Sequence, residues 1–224
     1  MLQCKLTKSQ YCAYVLYQMY IIVHLLLMNN NVVTQPLQQQ IYNVALIPVE
    51  PSAAASFTAI AQENFSTYSD GYILGPDALP HVTLCQFRCM EEQLETIWNE
   101  IITSEFQLNH IVQFDGMYMN PGRDHHDCIW SGLSIRHSVE LVNMQARIHS
   151  LLVERQLTTL TTTGGSYFPH LTLARVRSVD GLFKYPNRGI FEESYMFRGS
   201  IGLSDNLGVY RQVVYESTKD GVSP

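Results

Sequence analysis

Basic residues are scarce in this chain of 224 residues, which has 14 lysines and arginines against 20 aspartates and glutamates. The formal net charge is -6 at neutral pH. A long nucleic-acid duplex is held mainly by clustered lysine and arginine side chains, so an extended duplex-binding surface is not expected. A small nucleotide or a short RNA end fits this charge balance better.

The chain also lacks paired cysteines. Its cysteines are odd in number and none forms a CxxC pair, which favours reduced thiols over a disulfide framework or a zinc site made of cysteines. They are Cys4, Cys12, Cys85, Cys89 and Cys128. Hydrophobic residues make up 46% of the chain and charged residues 15%, as is usual for a globular protein. The length suits one large domain or two small lobes that share a core.

Residues 1–40 differ in composition from the rest. The most apolar stretch, 11–28, is interrupted by Gln18 and His24, and it is marginal against the roughly 20 apolar residues that a membrane-spanning helix needs. No convincing signal-peptide cleavage site follows it. A membrane anchor or targeting segment, a dispensable extension and a docked helix remain open, so membrane contact through 11–28 is one alternative. The folded remainder is expected in the cytoplasm, as a monomer.

From about residue 41, strands and helices follow one another in a repeated order. Each half is predicted to have a strand, a helix, and then a strand that opens with a histidine, and a turn-forming cluster separates the halves. This order predicts an α+β fold of two pseudo-symmetric lobes, at about 41–122 and 123–224. Each lobe is expected to be a mainly antiparallel sheet with covering helices, and the two enclose a central groove.

Two tetrapeptides, HVTL and HLTL, begin at His81 and His170, each directly after a proline. Side chains at positions i and i+2 of a strand project from the same face. His81 therefore shares a face with Thr83, and His170 with Thr172, while the alternate apolar residues point the other way. If the halves pack around a pseudo-twofold axis, two imidazoles and two hydroxyls line one groove.

These four side chains suit the cleavage of a phosphodiester bond. One neutral imidazole takes a proton from the attacking water or hydroxyl, and the other, protonated, gives a proton to the leaving oxygen. A histidine pKa of about 6.5 makes both forms accessible. The hydroxyls of Thr83 and Thr172 can donate hydrogen bonds to the phosphate oxygens. The scheme needs no metal ion or other cofactor, and the spacing does not say which histidine is the base.

In these motifs the sequence resembles the two-histidine phosphoesterase superfamily. The segment FPHLTLAR at residues 168–175 is particularly similar to the bacterial RNA 2′,3′-cyclic phosphodiesterases, also called 2′-5′ RNA ligases. The resemblance covers about residues 41–216. It implies a hydrolase in which His81 and His170 act as acid and base and both threonines bind phosphate. It also implies cyclic phosphates or 2′-5′ linkages in nucleotides or RNA as substrates.

Four further features are weaker candidates. Arg175 matches the same branch, but strand parity turns it away from His170 unless the strand bulges. Phe168 could stack a nucleobase, and Tyr42 is a weaker candidate for the same role. The threonine- and glycine-rich segment 158–165 could form a flap over the groove, although a plain surface loop is more common.

Three other functions remain as alternatives. The cluster Asp124, His125, His126 and Asp127 has the side chains of a metal hydrolase, but a solvated turn is expected there. A nucleotide-binding module with little catalysis would keep the same groove. A membrane-tethered interaction protein would depend on residues 11–28 alone.

Overall fold

The computed structural model describes residues 39–104, 108–121, 128–177 and 189–217. The apolar stretch 11–28 and the Asp124–Asp127 cluster lie outside these ranges. Within them, no helix is both long enough and apolar enough to cross a membrane.

The described residues form nine strands and four α-helices. The strands are β1 (Gln40–Pro48), β2 (Ser69–Ile73), β3 (Val82–Cys89), β4 (Asn109–Pro121), β5 (Cys128–Ile135), β6 (Thr158–Thr159), β7 (His170–Arg177), β8 (Ser194–Ser204) and β9 (Tyr210–Glu216). The helices are α1 (Pro51–Phe65), α2 (Leu94–Thr103), α3 (Val139–Glu154) and α4 (Gly189–Glu192).

Local chemistry explains where the two helices next to the motif strands begin. Helix α1 starts with Pro51, whose fixed φ and missing N–H suit the first helical position. Helix α3 starts after Ser138, whose side-chain oxygen accepts a hydrogen bond from the backbone N–H of Leu141 at 3.2 Å. Such a cap satisfies an N–H that has no partner within the helix.

All the strands belong to one antiparallel sheet, in the order β2-β7-β5-β4-β8-β1-β3-β6, with β9 beside β8. Strand β3 also pairs with β7. The strands from β7 through β3 therefore close into a ring, which brings the two histidine motifs side by side. The predicted α+β fold with a mainly antiparallel sheet is confirmed.

One half of the sheet consists of β2, β7, β5 and β4, and the other of β8, β9, β1, β3 and β6. These halves do not coincide with the predicted lobes at 41–122 and 123–224. Strand β4 comes from the first predicted lobe but pairs with β5, and β8 comes from the second but pairs with β1. The helices are exchanged as well, because α1 packs on β7 and α3 packs on β3. The repeated order of elements is present, but each half is built from both parts of the chain.

The apolar residues of the motifs lie in the core. Val82 and Leu84 of β3, and Leu171 and Leu173 of β7, are completely buried. Burial of one such side chain stabilises the fold by about 1.5–3 kcal/mol. Packing of these residues turns the histidine and threonine of each motif to the opposite face.

Candidate active site

The two motifs meet where β3 contacts β7. Val82 pairs with Leu171 in antiparallel register. When this register is continued by one residue, His81 lies opposite Thr172, and the other histidine and threonine of the motifs are related in the same way. Opposed residues of an antiparallel pair have Cβ atoms about 4.5–5.5 Å apart. Each imidazole therefore lies beside the threonine of the other motif.

A cavity of about 350 Å³, here called the central cavity, opens over this contact. The four predicted site residues, His81, Thr83, His170 and Thr172, all line it. Its remaining walls come from β4, β5, β7 and the flanking turns, and they consist of Tyr118, Asn120, Pro121, Trp130, Phe168, Arg175, Asn206, Leu207 and Gly208. The structure thus brings together the four residues that the sequence singled out.

Both imidazoles are held by the same local hydrogen bond. His81 Nδ1 lies 2.8 Å from the carbonyl oxygen of Leu79, and His170 Nδ1 lies 2.7 Å from that of Phe168. A carbonyl oxygen can only accept, so Nδ1 carries the proton and donates in each ring. The Nε2 atom of each neutral imidazole therefore keeps its lone pair and can act as a base.

Burial makes both imidazoles less basic than usual. His81 is only 6% exposed and stacks on the buried ring of Tyr210, with ring centres 5.0 Å apart. Desolvation lowers the pKa of His81 to about 4, although the hydrogen bond to the Leu79 carbonyl acts in the opposite direction. Desolvation also lowers the pKa of His170. Both rings are therefore neutral at neutral pH before a ligand binds.

The hydroxyl of each motif threonine has a polar side-chain partner. Asn43 of β1, which is completely buried, donates from Nδ2 to Thr83 Oγ1 at 2.9 Å. The hydroxyl of Tyr118 lies 2.8 Å from Thr172 Oγ1, and either hydroxyl could be the donor. Since Thr83 Oγ1 already accepts a hydrogen bond, its own proton is available to a ligand.

A glycine allows Tyr118 to reach Thr172. Gly132 of β5 pairs with both Thr172 and Tyr118. A Cβ atom at position 132 would lie 2.6 Å from Cε1 of the Tyr118 ring, which is closer than real contacts allow. The missing side chain therefore lets the phenol lie flat across β5.

Arg175 also lines the central cavity, because β7 contains a bulge. Ser131 pairs with Ala174 and Gly132 pairs with Thr172, so that Leu173 is the extra residue. One extra residue reverses the alternation of side chains beyond it. Strict alternation along β7 would turn Arg175 away from His170. Because of the bulge, both side chains face the central cavity.

The guanidinium of Arg175 is held from several sides. Its carbon atom Cζ lies 5.9 Å from the ring centre of Trp130, and its Nη2 atom lies 3.7 Å from Asp70 Oδ2 and 3.4 Å from Cys128 Sγ. Hydrogen bonding from the Cys128 thiol, together with the nearby arginines, lowers the pKa of Asp70. Arg175 is 9% exposed and therefore presents a fixed positive charge at one end of the cavity.

Strand β3 has an equivalent bulge at Leu84, because Val44 pairs with Cys85 and Ala45 pairs with Thr83. Beyond this bulge, Gln86 lines a second opening of about 420 Å³, here called the side cavity. The side cavity adjoins the central one through shared residues. Its lining consists of Thr83, Gln86, Asn120, Leu160, Thr161, Thr162, Ser166, Tyr167, Phe168, His170 and Leu207.

The weaker sequence candidates have different outcomes. Phe168 borders both cavities, is 49% exposed, and stacks on His170 with ring centres 5.6 Å apart. Tyr42 is only 2% exposed and packs in the core against Phe87, so it is not placed to stack a nucleobase. The segment 158–165 contributes two threonines to the side cavity. The described residues contain no group of three histidine, cysteine or acidic side chains placed to hold a metal ion.

Sequence reasoning missed Asn43, Gln86, Tyr118 and Trp130. Three of them come from strands β1, β4 and β5, and they reach the site only through long-range pairing that spacing does not reveal. Gln86 did carry a signal. It stands five residues after the first motif histidine, as Arg175 stands five residues after the second.

No protein-family model and no curated protein matches the sequence. Solved structures do match. The E. coli LigT structure with 3′-AMP has a TM-score of 0.56 at 13% identity and covers 81% of this chain and 97% of LigT. LigT with phosphate gives 0.54 at 15% identity, covering 80% and 96%. A structure described as a phosphoesterase gives 0.53 at 13% identity, covering 80% and 97%. The chain therefore has the fold of the two-histidine phosphoesterases.

Proposed function

We propose that this protein is a metal-independent phosphodiesterase that acts on a 2′,3′-cyclic phosphate or a 2′-5′-linked nucleotide or RNA end. The observation that carries the proposal is the convergence of two imidazoles and two threonine hydroxyls on one cavity. The fold shared with LigT, which has been crystallised with 3′-AMP and with phosphate, supports the same reaction type.

In the proposed reaction, the scissile phosphate lies between the two Nε2 atoms. One neutral imidazole takes a proton from water as the water oxygen forms a bond to phosphorus. The bond from phosphorus to the leaving oxygen breaks, and the other imidazole, in its protonated form, gives that oxygen its proton. The hydroxyls of Thr83 and Thr172 donate to the non-bridging oxygens, where negative charge builds up.

We assign His81 as the base and His170 as the acid in this direction of the reaction. His81 is the more deeply buried ring, and its pKa of about 4 keeps it neutral across the neutral range. The bound phosphate places a negative charge beside both imidazoles and raises both pKa values on binding. His170 is the less buried ring, so burial opposes its protonated form less. Acid and base exchange roles in the reverse reaction.

The lining of the central cavity favours a small anionic substrate. Arg175 supplies a positive charge beside the Trp130 ring, and Phe168 offers an exposed aromatic face. Aromatic faces stack nucleobases, and a guanidinium binds phosphate oxygens. A mononucleotide or dinucleotide fits these features, in keeping with the acidic net charge of the chain.

The test is an activity panel of 2′,3′-cyclic mononucleotides, 2′-5′ oligoadenylates and cyclic dinucleotides, with EDTA present throughout. We expect turnover of one of the first two classes that EDTA does not reduce. The variants His81→Ala and His170→Ala should each lose activity by roughly a hundredfold or more, consistent with the loss of a general acid or base. The exposed His137, which lies outside both cavities, provides the matched control His137→Ala.

Three results would contradict the proposal. Full activity in either motif variant would remove the acid–base assignment, and inhibition by EDTA would favour a metal hydrolase. Tight nucleotide binding without turnover of any panel substrate would favour the binding module. Circular dichroism spectra of the variants distinguish lost chemistry from lost folding.

A further inference from the structure

The two cavities differ in charge at one pair of equivalent residues. The bulges at Leu84 and Leu173 bring the fifth residue after each motif histidine into a cavity. In the central cavity that residue is the cation Arg175, whereas in the side cavity it is the neutral amide of Gln86. Among the described residues, none that lines the side cavity is a lysine, arginine, aspartate or glutamate. The side cavity therefore suits an uncharged group.

Hydrogen bonding fixes the orientation of the Gln86 amide. Its Nε2 atom donates to Ser204 Oγ at 3.2 Å and to the carbonyl oxygen of Asp205 at 2.6 Å. These bonds occupy the amide donors and leave Oε1 as an acceptor, for which the described residues show no donor. An acceptor held in this way repels a phosphate oxygen and attracts a ligand O–H or N–H.

Two threonines beside Gln86 add hydroxyl groups to the lining of the side cavity. Thr161 Oγ1 accepts from the backbone N–H of Gln86 at 2.7 Å, which leaves its proton available. Thr162 donates its proton to the carbonyl oxygen of Ser166 at 3.2 Å, which leaves its oxygen available as an acceptor. The lining therefore offers both donors and acceptors to a polar, neutral ligand such as a sugar.

The rim of the side cavity is apolar. Leu160, Phe168 and Leu207 border it and are all more than 40% exposed. Large exposed apolar side chains around a polar pocket are typical of ligand sites in which flat or apolar surface is covered on binding. The volume of about 420 Å³ lies within the range of roughly 300–1,000 Å³ that is usual for small-molecule sites. Hydroxyl groups inside and apolar surface at the rim match the ribose and the base of a nucleoside.

The side cavity lies next to only one of the two histidines. His170 lines both cavities, whereas His81 lines the central cavity alone. If His170 protonates the leaving oxygen, the group attached to that oxygen departs on the side of the side cavity. The rest of the substrate then lies in the central cavity, near Arg175.

We propose that the side cavity binds the uncharged nucleoside that leaves from a linear phosphodiester, so that the preferred substrate joins two nucleosides. This inference rests on the proposed phosphodiesterase activity for the identity of the leaving group. It makes Gln86 a specificity-determining residue that contacts the leaving nucleoside, and it makes the charge asymmetry between the cavities the basis of substrate orientation.

The kinetic test uses two substrates that differ only in the leaving group. One is 2′-5′-linked adenylyl-adenosine, which releases adenosine. The other is the p-nitrophenyl ester of adenosine 2′-phosphate, which releases p-nitrophenol. The variant Gln86→Met should lose about tenfold more kcat/KM on the first substrate than on the second, consistent with loss of a hydrogen bond in a buried site. Equal losses on the two substrates would overturn the proposal.

A second variant changes a different residue of the cavity lining, because Gln86 also holds the turn at Asp205. Ser166 forms none of the hydrogen bonds between Gln86 and that turn, so Ser166→Leu fills the cavity with those bonds intact and should show the same selective loss. Gln212→Met, an exposed residue of β9 outside both cavities, is the matched control and should keep the wild-type ratio between the two substrates.

A binding measurement separates this proposal from the proposed activity. Adenosine binding to the full chain, followed by calorimetry, should weaken about tenfold in both Gln86→Met and Ser166→Leu relative to Gln212→Met. If adenosine binding weakens in this way but no phosphodiester is turned over, the nucleoside site is supported and the proposed phosphodiesterase activity is contradicted. Equal adenosine affinity in all variants would overturn the nucleoside site even if the wild-type protein is active.

Discussion

Gln86 and Arg175 occupy equivalent positions in the two motif strands, β3 and β7. Each follows a motif histidine by five residues, and each reaches a cavity because a leucine bulge precedes it. The pseudo-symmetry of the backbone is therefore not repeated in the charge. A symmetric site would bind a substrate in two orientations, whereas a single cation at one end favours one orientation.

The first prediction concerns this cation. Arg175→Gln gives the two equivalent positions the same side chain. It also removes the fixed positive charge that is proposed to lie beside the phosphate. A charge-assisted hydrogen bond contributes about 1.5–3 kcal/mol, so kcat/KM should fall by roughly 10- to 100-fold, mainly through a higher KM. Steady-state kinetics on the best substrate of the panel measure this change.

Arg177 provides a matched control for that variant. It forms an ion pair with the same carboxylate, Asp70, at 3.4 Å, but its side chain is exposed and it lines neither cavity. Arg177→Gln should keep kcat/KM close to the wild-type value. If both variants lose activity equally, the effect comes from Asp70 and the local structure, and Arg175 has no direct role in binding.

The alternation of residues within each motif was enough to predict the face on which its side chains lie. Val82 and Leu171 are fully buried, and His81 and His170 line the cavity on the other side, as strand periodicity requires. The prolines and turn clusters marked the approximate starts of the motif strands. This information is local, so a single sequence contains it.

The remainder of the site depends on pairings between distant segments. The bulge that turns Arg175 into the cavity is defined by the register of β5 against β7, which the sequence of β7 alone does not contain. Tyr118 reaches Thr172 only because Gly132 lies between them. The exchange of helices between the halves has the same origin, because the order of elements does not determine which strand a helix covers.

The second prediction is an acidic optimum for kcat/KM. This parameter reports the pKa values of the free enzyme. In the proposed mechanism His81 must be neutral, so activity should fall as the pH drops through about 4. The same mechanism needs His170 protonated, and burial holds its pKa below 6.5, so activity should fall as the pH rises through that lower value. The maximum of kcat/KM should therefore lie between pH 4 and pH 6.5.

The pH profile of kcat provides the internal check. Because bound phosphate raises the pKa of His170, the alkaline limb of kcat should lie at higher pH than that of kcat/KM. If kcat/KM has its maximum above pH 6.5, or if the two profiles coincide, the assignment of His170 as the acid is wrong.

The third prediction is a loss of stability in mild acid. The pKa of His81 is about 4 in the folded state, whereas that of an unperturbed histidine is 6.5, so the unfolded chain binds a proton between these values and the native state does not. The free energy of unfolding should therefore decrease as the pH falls from 6.5 to 4. A difference of this size in pKa corresponds to about 3 kcal/mol.

The variant His81→Asn isolates this contribution. Its amide N–H can replace the donor to the Leu79 carbonyl but does not titrate. Urea unfolding at a series of pH values, with the variant subtracted from the wild type, removes the background of carboxylates common to both. A difference curve that is flat between pH 4 and pH 6.5 would show that the His81 pKa is not lowered by folding.

The fourth prediction concerns the phenol that lies against Thr172. If Tyr118 donates to Thr172 Oγ1, the threonine proton is left for the phosphate, as the Asn43 amide leaves that of Thr83. Tyr118→Phe removes the donor and leaves the ring in place. The threonine hydroxyl then loses its fixed orientation, and kcat should fall by roughly tenfold, the effect of about one hydrogen bond.

The control for this variant is Tyr195→Phe, which also loses a phenol hydrogen bond, to Glu193, but lies outside both cavities. Thermal unfolding and kcat together separate two roles for Tyr118. A structural role would lower the melting temperature and leave kcat per folded molecule unchanged. An orienting role would lower kcat even if the melting temperature equals that of Tyr195→Phe. The reason is that the Thr172 hydroxyl, without Tyr118 to orient it, could rotate its proton away from the phosphate.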